Sequence, residues 1–280
     1  MAGRVIRLTR AELLKLVHHP FFIVALVILA TVTILGAWAF EPKTTLWSGP
    51  HTLLLFALGA KAGLKIASFL LVIFGSLFFA GEFDKGTIKL LLTRPVTRTE
   101  VFLAKCLTGL MLAGLLFGTV LALSFGFGCL RGEWGPVWES QQGLILSTTD
   151  GIGGHAAKAV GMSAAGVFAA VLLGIAVSTV VESSGFAVAI ALTLFIGMDL
   201  GLGFMREERA RYLFNWYPSY AFDTLRSFAE GSSTLWRSSA EARVNLRVFS
   251  VPIWLAVPAA WAGFCAAVGY VLFRIKNILA

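Results

Sequence analysis

The sequence predicts an all-α polytopic membrane protein. It has six transmembrane helices, an N-terminal amphipathic elbow helix and a short cytoplasmic helix between spans two and three. Three observations carry that prediction. The 280 residues are 58% hydrophobic and 14% charged, with mean hydropathy +0.83, whereas a soluble domain is nearer about half apolar and about a quarter charged. The apolar excess is gathered into six charge-poor runs, each near the roughly 20 residues that a helix needs to cross about 30 Å of hydrocarbon. Basic residues mostly flank those runs, as topology and lipid headgroups require.

The spans are expected at 20–40, 60–80, 101–130, 157–181, 185–205 and 250–273, within one transmembrane domain over 1–280. Residues 1–19 form the elbow. Val5, Ile6, Leu13, Leu16 and Val17 share one helical arc, and Arg4, Arg7 and Lys15 lie opposite, the pattern of a helix resting on a lipid surface. His18-His19-Pro20 then turns the chain into the first span, because a proline biases its predecessor away from helix. That first apolar run is longer than a signal-peptide core of about 7–15 residues, so it is expected to be a retained span.

Residues 206–249 are expected as an outer helical segment. The basic residues divide almost evenly between the two sides, so the short N-terminal cluster decides orientation, with both termini cytoplasmic. All eight tryptophans fall outside or in the outer parts of spans, where indole favours the interface.

Other classes are excluded by what accompanies these runs. Net charge is +8, but no aromatic RNA-binding motif or Cys/His finger spacing occurs, so no nucleic-acid partner is expected. Cys106, Cys129 and Cys265 are isolated and read as packing residues. None of His18, His19, His51 and His155 lies inside a span, and no H-E-x-x-H occurs, so no catalytic or metal set converges. An ion-coupled transporter, the alternative reading, would place several ionisable groups at mid-membrane.

The stretch "GEFDKGTIKLLLTRPVTRTE", Gly81–Glu100, concentrates charge between spans two and three. Gly86-Thr87 supplies a break and an N-cap. Ile88, Leu91 and Leu92 then share one helical face, and Pro95 stops the helix. Thr97-Arg98-Thr99-Glu100 is a capping box that restarts the chain into span three. The apolar face would lie on lipid or dock in a groove of a cytosolic partner.

These residues carry a resemblance. Glu82, Gly86, Thr87, Leu91, Leu92, Pro95, Arg98 and Lys105 match the first cytoplasmic loop of ABC-2 type transporter permeases, the membrane subunits of ATP-binding-cassette exporters. "FNWYPSYAFDTLR", Phe214–Arg226, is similar to that family's Asn-x-x-Pro-like stretch.

The resemblance implies a permease whose coupling helix, with Glu82, Asp84, Gly86, Thr87, Ile88, Leu91, Leu92, Pro95 and Arg98, sits on a separate ATPase subunit. It implies two ATPase copies, a second permease chain, and ATP and magnesium held in the partner rather than in this chain. No G-x-x-x-x-G-K-[ST] occurs here, the motif that would cradle phosphates. Export, or force transmitted to an outer partner, both fit. A bacterial inner membrane is expected.

Lys61, Lys65 and Asp199 are the candidate translocation-path residues. The lysines would either snorkel to the interface or face the path, and Asp199 would line the path or pair with one of them. Glu182, in the tight inner turn "VESSG", is either a minor second ATPase contact or a solvated cap.

Overall fold

The computed structural model describes residues 2–39, 51–87, 96–138, 145–147, 149–230, 243–245 and 250–276. Nine helices are described: α1 Ala2–Val17, α2 Pro20–Trp38, α3 Thr52–Asp84, α4 Arg98–Arg131, α5 Thr149–Val180, α6 Ser184–Phe204, α7 Glu207–Ala210, α8 Trp216–Ala229 and α9 Ile253–Ile275. Two small antiparallel pairs accompany them, β1 Val137–Trp138 with β2 Ile145–Ser147, and β3 Arg243–Asn245 with β4 Ser250–Pro252. Six of the helices, α2 to α6 and α9, are long and apolar enough to cross a membrane. The chain is an all-α polytopic membrane protein.

Burial sorts the spans. The apolar windows of α3 and α5 are each 67% buried, whereas those of α6 and α9 are 17% buried. So α3 and α5 form the centre, with α2, α4, α6 and α8 around α3 and α9 against α5. The outermost spans turn Ile23, Val27, Phe186, Leu200 and Phe264 outward, as side chains facing lipid should.

Glycine sets the central crossing. A Cβ on Gly75 would lie 2.5 Å from the Val171 carbonyl, and one on Gly174 2.5 Å from the Val72 carbonyl. With no hydrophobic drive between helices inside lipid, this close backbone approach supplies the packing attraction.

Two expectations need correction. Span two was expected to begin at 60, but α3 begins at Thr52, where His51 caps it by accepting from the Leu53 N–H at 3.0 Å. Its 33 residues make a rod of about 50 Å at about 1.5 Å per residue, longer than the hydrocarbon. The surplus outer turns stay helical because they are buried by protein: Thr52 through Ala60 are all buried. α5 likewise begins at Thr149 rather than 157.

The second correction concerns 206–249, expected as an outer helical segment. After α6 the chain dips back between the spans. Phe214 packs on Phe195 of α6, with ring centroids 6.2 Å apart. A Cβ on Gly166 of α5 would lie 2.6 Å from the Phe214 carbonyl and 2.9 Å from the Pro218 ring. α8 then climbs outward, with Phe222 on Phe56 and Phe228 on His155. Its inward face, including Tyr217, Ala221, Phe222, Leu225 and Phe228, is fully buried. The Tyr217 hydroxyl donates to the Arg211 carbonyl at 2.7 Å, and Trp261 Nε1 donates to the Tyr212 carbonyl at 2.9 Å, which fixes the dip against α9. Part of this segment is also strand rather than helix, at β3.

Candidate functional site: the root of the inner loop and the outer ion pairs

The segment between α3 and α4 is approached from both flanks. α3 ends at Asp84, and Gly86 adopts φ 66° while its N–H donates to the Phe83 carbonyl at 3.0 Å. That is a left-handed glycine closing a helix C-terminus. Gly86 therefore terminates α3 at the break that the sequence marks, and Thr87 after it is helical again. The Thr87 hydroxyl donates back to the Glu82 carbonyl at 3.4 Å, and the N–H groups that it was expected to cap lie outside the described residues.

The coupling-helix residues Ile88, Leu91, Leu92 and Pro95 lie outside the described residues. On the far flank the capping box forms as expected. The Glu100 N–H donates to Thr97 Oγ1 at 3.2 Å, and the Thr97 N–H donates to Glu100 Oε2 at 2.9 Å.

Each flank is tied to a neighbouring inner end. Asp84 Oδ2 accepts from the Ser184 hydroxyl at 2.6 Å, at the start of α6. Arg98 Nη1 donates to the carbonyls of Arg274 and Lys276 at 2.9 Å each, at the end of α9. Lys276 Nζ donates to the Val180 carbonyl at 3.1 Å, lies 3.4 Å from Glu182 and sits 4.0 Å over the Phe83 ring. Both cations thus meet the negative end of a helix, where they are favoured. Glu182 joins this inner hub while remaining largely exposed.

Beneath the flank lies a buried charge cluster. Lys105 of α4 is 1% exposed, and its Nζ donates to the Phe78 carbonyl at 2.8 Å. The same ammonium lies 3.1 Å from Glu82 Oε1 and 3.6 Å from Glu12 Oε2, and sits 5.2 Å over the Phe79 ring. Lys15 of α1 reaches Glu82 Oε1 at 3.0 Å. The other Glu82 oxygen is buried and accepts no hydrogen bond among the described residues.

Glu82 was expected on the loop surface with the other coupling residues. It points instead into the body of the protein, because the excess positive charge of Lys105 and Lys15 compensates its burial. Burial pulls the Lys15 pKa down, but Glu12 and Glu82 outweigh it and hold the pKa above the usual lysine value.

The outer half carries a second set of charges. Lys65 Nζ of α3 lies 2.9 Å from Asp199 Oδ2 of α6. One turn outward, Lys61 pairs with Asp223 of α8. Each pair has its own single acid, and both lysines remain substantially exposed. The Lys65–Asp199 pairing was one of the expected alternatives, while Asp223 carried no sequence signal of its own. At the bottom of the dip, the Asn215 amide is buried with neither polar atom hydrogen-bonded among the described residues.

The fold and this site define a six-span membrane protein whose first inner loop is braced by the inner ends of α1, α4, α6 and α9. The family model described as ABC-2 family transporter protein matches residues 8–200, so the chain belongs to that family. Its members are membrane subunits that normally work with an ATP-binding-cassette subunit. The chain is also similar to the uncharacterized membrane protein YdbK of Bacillus subtilis (strain 168), at 31% identity over 128 residues, 46% of this chain and 48% of that protein. The match therefore spans about half of the relative's length.

Proposed function

We propose that the chain is the permease subunit of an ATP-binding-cassette exporter, coupling ATP binding and hydrolysis in a separate subunit to transport across the membrane. The observation that carries this reading is the braced inner loop in a chain that matches the family over residues 8–200. A loop that receives force must pass it on. Here its flanks are bonded to α6 and α9, and its root is bonded to α1 and α4.

Ile88, Leu91 and Leu92 would form the apolar face that enters a groove on the ATPase, with Pro95 ending the helix. Asp84, Gly86, Thr87 and Arg98 would set its angle, and Glu82 would hold its root. Two ATPases closing on ATP, which with magnesium they would hold, would move two such loops in a permease dimer and switch the spans between two packed states. Lys61, Lys65 and Asp199 would line the outer part of the path, because a half-exposed ion pair at that depth is stable only beside polar surroundings. A bacterial inner membrane with cytoplasmic termini places the loop beside its ATPase.

The test is co-purification in mild detergent. Wild type should bring down an ATP-binding-cassette subunit, and Leu91→Asp with Leu92→Asp should lose it at equal membrane abundance. Absence of any such subunit from wild type overturns the reading.

A further inference from the structure

We propose that the N-terminal helix α1 belongs to the transmission machinery, joined to the coupling loop by a closed ring of charges in which Lys105 is the positioning residue. The inference rests on the exporter reading and deepens it. An elbow helix that only anchors the chain to lipid needs an apolar face and basic residues. α1 has these: Ile6, Leu14 and Val17 are exposed. It also has something an anchor does not need.

Glu12 and Lys15 stand at i and i+3, so they project from neighbouring positions on one face. Lys15 binds Glu82, Glu82 binds Lys105, and Lys105 reaches back to Glu12, at 3.0, 3.1 and 3.6 Å. Signs alternate around the ring and sum to zero. Three helices contribute, and two of them, α3 and α4, are the flanks of the loop. Thr9 adds a longer contact from α1, its hydroxyl donating to the Ala104 carbonyl at 3.5 Å.

Apolar side chains of similar volume would hold α1 at lower desolvation cost than these ions. What ions add is register. Lys105 is saturated by the Phe78 carbonyl, two carboxylates and the Phe79 ring, so neither carboxylate can leave without stranding a buried charge. Glu82 sits on the last turn of α3, just before Gly86 ends the helix. A displacement of the loop therefore drags Glu82, and with it Lys15 and α1. α1 packs chiefly on α4 and only slightly on α2, which leaves it free to follow. The geometry makes α1 an outrigger that converts movement of the loop into movement at the lipid surface.

The test is hydrogen exchange of the full chain with its ATPase in nanodiscs, with and without ATP and vanadate. Two windows are read, residues 2–17 and 81–100. In wild type the nucleotide should change protection in both. Glu12→Gln with Lys15→Gln preserves net charge and leaves the Glu82–Lys105 pair intact. It should keep the nucleotide-dependent change in the loop and lose it in α1.

Glu12→Lys with Lys15→Glu keeps composition but sets like charges face to face, and should give the same loss. A purely structural role would lower protection in both states and leave the nucleotide-dependent difference in place. That result, or a wild-type loop that responds while α1 does not, overturns the inference. A wild-type loop that does not respond at all overturns the docking reading, and this inference with it.

Discussion

The molecule places charges at two depths, and it treats them in opposite ways. At the inner end, Lys105 and Glu82 are buried and share several partners across three helices. At the outer end, Lys61 and Lys65 each hold one acid and stay exposed. A buried pair that loses one member strands a charge, at a cost of about 3–5 kcal/mol. An exposed pair is worth about 0–1 kcal/mol. The inner cluster is therefore costly to break, and the outer pairs are cheap to break. In the proposed exporter the first would serve as a rigid receiver beside the ATPase, and the second as a contact that yields where the path opens.

The sharpest break in that contrast is Lys105→Met. It leaves Glu82 buried with only Lys15, and should destabilise the protein by about 3–5 kcal/mol. The checks are the thermal unfolding midpoint in detergent and the abundance in membranes. Lys105→Met with Glu82→Gln removes both ions and should recover much of that loss, since replacing both partners is far cheaper than orphaning one.

Arg98→Ala comes next. It removes two charged hydrogen bonds from the end of α9 and should cost about 1–3 kcal/mol, read the same way. Double-mutant cycles across Lys65 and Asp199 should then return a coupling energy of about 1 kcal/mol or less. It should shrink further as salt is raised, because exposed charges are screened. A coupling as large as that between Lys105 and Glu82 would erase the distinction between the two regions.

The smallest effect is alkaline. The Lys15 pKa is raised in the folded chain, so its contribution to stability is fully present below the unfolded lysine value and is lost as pH rises through the folded one. Because Lys15 is more than half exposed, the change should be slight. An unfolding series toward high pH, run beside Lys15→Gln, should show the wild type losing its small advantage.

Much of this architecture is legible in the chain alone, for physical reasons that differ by element. The spans declare themselves because lipid forbids charge over a fixed thickness. The capping box at Thr97 and Glu100 is legible because both partners lie within one turn. What escaped notice is what distance in sequence conceals. Nothing near Lys105 announces that Glu12 and Glu82 will meet it.

The outer turns of α3 were missed because bilayer thickness predicts a span's length, whereas α8 prolongs the helix by burying it. The dip after α6 was readable in principle. Tyr217, Ala221, Phe222, Leu225 and Phe228 recur on one helical face, and a helix lying wholly in water would not need that stripe. The polar Asn215 at its head masked the signal. Gly86 shows a subtler limit: the sequence marks a break there, and only the backbone angle shows that the glycine closes the end of α3.

The central claim is that the inner loop touches an ATPase while the outer end of the molecule does not. A photo-activatable residue placed at Leu91, and separately at Asp223, tests this in intact cells. The account predicts a cross-linked adduct at Leu91 whose second chain carries a phosphate-binding G-x-x-x-x-G-K-[ST] motif, and no such adduct at Asp223. Failure to capture that chain at Leu91, or its capture from the outer position, would contradict it.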